Sequence, residues 1–263
     1  MRILFVGDVF GNIGRRVLAD HLSHIKIEHR IDLCIANGEN AAGGKGITAN
    51  LAKKFRRYGV SVITGGNHSF ASTEAVEGLE SGDYVLRPLN YPPGNVGVGK
   101  TIVRLDDGSK VGIINLQGRT FLSEALDCPF RIGSSAIDDL LRETPIVIID
   151  FHAEATSEKA AFAYYVDGRA SAVLGTHTHV QTADERILPG GTAFISDVGM
   201  TGPENSIIGM KPSAVIRRFL LQTFARFEPS NEGPLLCAVV VEIDNRSGKA
   251  LGIERIQEQL TFS

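Results

Sequence analysis

Apolar residues come in short unbroken runs along this chain, and the runs end alike. "RILFVGD" (2–8), "DLCIANGEN" (32–40) and "VSVITGGNH" (60–68) each close on glycine and polar residues. An unbroken apolar run of this length is the pattern of a strand buried on both faces, as in a parallel sheet. Between them, Leu18, Leu22 and Ile25 recur at helical spacing through 15–29, and a second helix is predicted over 48–58 with Thr48 as its N-cap. Strand, helix, strand, helix, strand implies right-handed parallel crossovers and a sheet covered on both faces.

The middle of the chain changes pattern. "KTIVRLDDGSKVGIINLQG" (100–118) holds two strand-like runs around Asp107-Gly108, a hairpin pattern. "PIVIIDFHAEAT" (145–156), "ASAVLGTHTH" (170–179) and "GTAFISDVG" (191–199) return to the buried run that ends in polar groups. Helices are predicted over 157–165 and 213–224, and late strands over 236–244 and 251–257. With no linker, repeat or low-complexity tract, the economical reading is one α/β domain over residues 1–263, two-layered with mixed sheets.

Composition narrows the class. The 263 residues carry a net charge of −3, which argues against a broad electrostatic grip on nucleic acid. Cys34, Cys128 and Cys237 are widely spaced; Cys34 and Cys237 lie in apolar runs and read as small buried hydrophobes, which fits a reducing compartment. The first apolar run is too short for a secretory signal, and no stretch reaches the length of a membrane span. A cytoplasmic protein with no membrane partner is the expectation.

The polar residues that close the runs are Asp8, then Glu39 and Asn40, then Asn67 and His68, then His152, then His177 and His179. "LGTHTHVQTADE" (174–185) alone holds two of the seven histidines. On an extended segment, positions i and i+2 point to the same face. In α/β sheets, ligands bind beyond the carboxyl ends of the strands, so these residues are expected on one rim. Nitrogen and oxygen donors without cysteine suit borderline divalent ions such as Mn, Fe, Zn or Co. The donors outnumber one tetrahedral site, and two metals bridged by a carboxylate fit the count. Blander readings compete: Asp8 as a helix cap, His152 as a core histidine satisfied by backbone, Asn40 as a turn residue. His21, His24 and His29 read as a solvated helix face, and Glu154 as a surface residue or one behind the ligands. "GGKGIT" (43–48) is no phosphate loop, because Glu39 and Gly46 stand where glycine and Ser/Thr are required.

Asp8 in "GDVFG", "NGENAAGGKGIT" (37–48), "GGNH" (65–68), His152 in "DFHAEATSEK" and "GTHTHVQTAD" (175–184) together resemble the calcineurin-like metallophosphoesterases, most closely their YmdB-like branch. The resemblance runs from Asp8 to "DVGMTGP" (197–203). It implies a four-layered α/β sandwich with two mixed β-sheets flanked by helices. It further implies a first metal held by Asp8, Glu39, Asn40 and His179, and a second held by Glu39, Asn67, His152 and His177, with Glu39 bridging. His68 takes the place of the non-ligand catalytic histidine near the leaving group. The continuation Ser69-Phe70-Ala71 departs from the Thr-Trp-Asp-like one expected, so no carboxylate at 71 steadies His68.

The activity implied is hydrolysis of phosphodiesters, cyclic nucleotides and 2′,3′-cyclic ones among them, by in-line attack of a hydroxide bridging two divalent ions. Fe or Mn is expected, with Zn compatible. The partner expected is a small phosphodiester; RNA ends and a second copy of the chain stay open. A phosphomonoesterase or protein phosphatase on the same site is the first rival, with Arg15, Arg16, Lys45 and Arg119 as candidate extra cations. A non-catalytic, metal-dependent regulator is the second.

Overall fold

The computed structural model describes residues 1–82 and 84–262. Strand β1 (Arg2–Val6), the short β2 (Asp8–Val9), helix α1 (Gly11–Glu28), β3 (Leu33–Asn37), α2 (Ala49–Tyr58), β4 (Val62–Thr64) and α3 (Thr73–Leu79) come first. The middle carries β5 (Lys100–Arg104), β6 (Lys110–Gln117), α4 (Pro129–Leu140), β7 (Val147–His152), α5 (Thr156–Tyr165) and β8 (Ala172–Thr176). The chain closes with β9 (Arg186–Ile187), β10 (Ala193–Ile195), β11 (Met200–Pro203), α6 (Pro212–Leu221), β12 (Pro234–Ile243) and β13 (Ala250–Gln259).

Both sheets are mixed. The seven-stranded one runs β2-β11-β12-β1-β3-β4, with β13 also on β12; β1, β3 and β4 are parallel, and β12 is antiparallel to β1. The six-stranded one runs β5-β6-β7-β8-β10-β9, with β6, β7, β8 and β10 parallel. Side chains alternate across each strand, so every central strand feeds two cores. From β1, Ile3 and Phe5 face the second sheet, where they meet Ile113, Ile148 and Leu174. Leu4 and Val6 face the other way, against Leu18 and Leu22 of α1 and Phe55 of α2. From β7, Val147, Ile149 and Phe151 turn outward onto Ile137 of α4 and Phe162 of α5. Helices, sheet, sheet, helices: four layers, not the two that the apolar runs alone suggest. The runs are unbroken because both faces of each sheet are covered.

The helix at 48–58 starts one residue later, with the Thr48 side chain accepting from the Leu51 N–H at 3.3 Å as its cap. The hairpin turns at Gly108, whose φ is 83°. Helix α1 begins at Gly11, earlier than residue 15, and α6 ends at Leu221, earlier than residue 224, because Gln222 adopts a left-handed φ of 52°. Of the helix-face histidines, His24 is exposed, but His21 is half-buried, its ring centroid 6.4 Å from that of Phe262. Among the described residues, no helix is long and apolar enough to cross a membrane.

Candidate active site

The parallel strands of both sheets end on one rim. Chain segments after β1, β3 and β4 bring Asp8, Glu39 with Asn40, and Asn67 with His68; the end of β7 and the segment after β8 bring His152, then His177 and His179. Glu39, His152 and His177 form one group of donors, and Asp8, Glu39 and His179 another; within each group the donor atoms lie within 4.8 Å of one another. Glu39 belongs to both. Asn67 Oδ1 lies 3.0 Å from His152 Nε2, and Asn40 Oδ1 lies 3.1 Å from His179 Nε2. His68 stands beside the groups, its Nδ1 3.2 Å from Glu39 Oε1 and 3.2 Å from Asn40 Nδ2.

The blander readings fail on geometry. Helix α1 is preceded by Phe10 with no side-chain cap, so Asp8 does not cap it. His152 is fully buried, and its ring partners are side chains: Glu39, Asn67, Thr176 and His177. Asn40 does donate to Gly44 O at 3.2 Å as a turn residue would, while its Oδ1 still faces His179. "GGNH" has its own reason. A β-carbon at Gly66 would collide with Glu39 Oε2 and the His152 ring, so only glycine lets this backbone pass so close to both.

His177 and His179 do not share one face of an extended segment. Strand β8 ends at Thr176, and both histidines sit in the left-handed region, at φ 104° and 66°. The His177 N–H donates to Asp8 Oδ2 at 3.2 Å and the Thr178 N–H to Asp197 Oδ2 at 3.0 Å, which bends the chain between the two imidazoles. They therefore join different groups. Each such residue stores about 1–3 kcal/mol of backbone strain.

What holds that strain is a pair that the sequence alone does not bring together. Lys159 Nζ donates to Asp197 Oδ2 at 2.8 Å with both side chains buried, and Asp197 Oδ1 accepts from the Gly199 N–H at 2.9 Å. Removing one member of a buried ion pair strands the other charge. Asp197→Ala is expected to lower unfolding free energy by about 3–5 kcal/mol. Urea unfolding checks it; a loss below about 1 kcal/mol, the scale of an exposed pair, would mean the pair contributes little. Asp150 is the second residue missing from the sequence-based set. Its buried carboxylate accepts from Asn37 Nδ2 at 2.9 Å, from Thr176 Oγ1 at 2.7 Å and from Thr64 Oγ1.

These contacts fix the imidazoles. His152 has Nε2 in the donor cluster and Nδ1 2.9 Å from Thr176 Oγ1, whose hydroxyl is donated onward to Asp150. His179 has Nε2 at Asn40 and Nδ1 3.0 Å from Ile208 O. His177 has Nδ1 3.1 Å from His152 Nε2 and Nε2 3.2 Å from Glu154 Oε2, so Glu154 sits directly behind a donor. One nitrogen inward and the other anchored on oxygen is how metal-binding histidines are oriented.

The charges call for a cation. Burial, reinforced by the carboxylates of Asp197, Glu39 and Asp150, pushes Asp8 well above its ordinary value against the pull of His152. Burial also works to raise Glu39, but His152 and His68 outweigh it and hold Glu39 well below the carboxylate range. His152 resists its own burial and rises to about 9 on the fields of Glu39, Asp8 and Asp150. Burial, then His152, pushes His177 down to about 3, and burial lowers His179, which keeps both neutral as donors. Among the described residues, Asp8 Oδ1 has no hydrogen-bond partner, although it is buried. His152 is 3.9 Å from that oxygen, too far for a hydrogen bond, so a buried carboxyl oxygen without a partner among the acids Glu39, Asp150 and Asp197 fits a cation.

A family model described as YmdB-like protein matches residues 4–256. The chain belongs to the YmdB-like family. It is 47% identical over 256 residues, 97% of this chain and 96% of the other, to a 2′,3′-cyclic-nucleotide 2′-phosphodiesterase of Bacillus subtilis strain 168. A crystal structure of a hypothetical protein from Thermus thermophilus superposes with a TM-score of 0.89 at 42% identity, covering 98% of this chain and 99% of that one. Another, of a novel phosphatase from Mycoplasma pneumoniae, gives 0.91 at 36% identity, covering 98% and 93%. The YmdB-like membership and the donor groups together support a divalent metal cofactor.

Proposed function

We propose that this YmdB-like chain is a binuclear phosphodiesterase that hydrolyses 2′,3′-cyclic nucleotides. The observation that carries the reading is Glu39, a single carboxylate shared by two donor groups. Asp8, Glu39, Asn40 and His179 hold one ion, and Glu39, Asn67, His152 and His177 the other; iron or manganese suits the donors best, and zinc is compatible. When bound, such ions lower the pKa of coordinated water and neutralise charge on phosphoryl oxygens. Hydrolysis adds water across one P–O bond. The departing ribose oxygen takes a proton, and His68, its Nδ1–H donating to Glu39 Oε1, has Nε2 for that task.

Metal analysis with a substrate panel tests the reading. About two equivalents per chain are expected, with activity lost on chelation and restored by Mn or Fe. Bis(p-nitrophenyl) phosphate and 2′,3′-cyclic nucleotides are expected to exceed p-nitrophenyl phosphate in kcat/KM. Active protein holding one metal or none overturns the binuclear assignment. The phosphatase description of the Mycoplasma relative favours a second reading, monoester hydrolysis on the same site. Of Arg15, Arg16, Lys45 and Arg119, Lys45 alone borders the cavity beside the donors, so a monoester preference that vanishes in Lys45→Ala would establish it. Metal-loaded protein that turns over neither class would be a regulator.

A further inference from the structure

The donor cluster opens on one flank into a cavity of about 570 Å³, lined by Asn40, His68 and His179 from the site itself. The rest of its wall is mostly apolar. Phe10 and Val215 are buried at its base, while Ile208, Phe219 and Phe227 remain 57%, 73% and 44% exposed. A chain that leaves large apolar side chains uncovered beside a catalytic rim is presenting them to a ligand. His177 is not part of that wall; it meets the half-exposed carboxylate of Glu154 at 3.2 Å instead.

The wall is also built under strain. Ile208 is β-branched yet adopts φ 46°. An ordinary turn would not put such a residue in the left-handed region. The turn is pinned by the Gly209 N–H donating to Ser206 Oγ at 2.9 Å and by the Ile207–Met210 bridge. It sets the Ile208 carbonyl 3.0 Å from His179 Nδ1 and places the side chain in the cavity wall. One residue thus ties the cavity to a donor of the cluster.

Resting on the phosphodiesterase reading above, we propose that this cavity receives the nucleobase of the substrate. A cyclic phosphate seated at the donors carries a ribose and a flat aromatic base. The volume takes a purine, and Phe219 and Phe227 offer faces on which any base can stack. Stacking is tolerant of base identity, so the cavity confers preference for nucleotides over other diesters, with purines bound more tightly than pyrimidines. Because the base is remote from the reacting bond and bound equally before and during the reaction, the gain lies in KM.

The test compares adenosine 2′,3′-cyclic phosphate with methyl riboside 2,3-cyclic phosphate, the same cyclic diester without a base, using the metal-loaded full chain. Phe219 is largely exposed, so Phe219→Ala spares the core. It is expected to lower the ratio of kcat/KM values, nucleotide over base-free diester, about tenfold, through KM for the nucleotide. Phe227→Ala is expected to act in the same direction. If the unaltered protein hydrolyses the cyclic nucleotide but both variants leave the ratio unmoved, the base assignment alone is overturned. If the unaltered protein hydrolyses the base-free diester and not the nucleotide, the substrate reading falls and the base assignment falls with it.

Discussion

Glu39→Gln is expected to abolish hydrolysis and strip metal from both donor groups. Glu39 Oε2 lies 3.2 Å from His152 Nε2 and accepts from the His68 N–H at 3.2 Å, while Oε1 lies 3.2 Å from His68 Nδ1. Glutamine keeps the shape and surrenders the charge. One of its two terminal atoms becomes an NH₂ that cannot ligate, so one group loses its donor and the other its anion. The buried His152 also loses the first of the carboxylates that raise it to about 9. The fall in activity should exceed the roughly 10–100-fold cost of removing a group that only orients a ligand. Asp8→Asn is the control, since Asp8 belongs to one group only. It is expected to lose the ion shared with His179 and keep some of the other. Elemental analysis of both variants, beside kcat on one diester, decides the matter. Glu39→Gln protein that retains two ions, or Asp8→Asn protein that fares worse, would remove Glu39 from the bridging position.

Much of this rim is readable from residues alone, for a physical reason. A strand buried on both faces is mostly apolar, so "ILFV", "LCIA" and "IVII" stand out, and polar groups that close such runs lie at the strand ends where ligands bind. What stayed hidden depends on contacts distant in sequence. Asp150 and Asp197 interrupt apolar runs in "IIDFH" and "ISDVG", which marks them as buried charges, but their roles rest on Thr64, Thr176 and Lys159, which folding brings from elsewhere. Helix α4 buries Gly133, Ala136, Ile137 and Leu140 at helical spacing, but glycine and alanine among them flatten the apolar pattern. Helix α3 is seven residues long and announces itself only through its Ser72 cap. The bend at His177 and His179 is the deepest case. Two histidines at i and i+2 look like one face of a strand, and only the Asp8 and Asp197 contacts turn them apart.

His68→Ala is expected to slow hydrolysis about 10²–10⁴-fold with metal content unchanged, as for loss of a general acid. Where the resemblance leads one to expect a carboxylate, Ala71 offers none to steady the ring. The structure supplies another partner: Nδ1 is held by the Glu39 carboxylate, with Oε1 3.2 Å away, and the side chain keeps 32% exposure at the wall of the cavity. With Nδ1 so engaged, a carboxylate at 71 is unnecessary, and Ala71→Asp should change the rate little. The leaving group gives the sharper discrimination. A ribose alkoxide needs a proton to depart, whereas p-nitrophenolate does not, so His68→Ala should be most harmful for 2′,3′-cyclic nucleotides and mild for bis(p-nitrophenyl) phosphate. His177→Ala differs in kind, since it removes a donor from the Glu39–His152 group and should lose metal and rate together for every substrate. Equal slowing of good and poor leaving groups by His68→Ala would leave charge stabilisation as its role. Loss of metal in that variant would make His68 a ligand, and the division between the two donor groups would have to be redrawn around it.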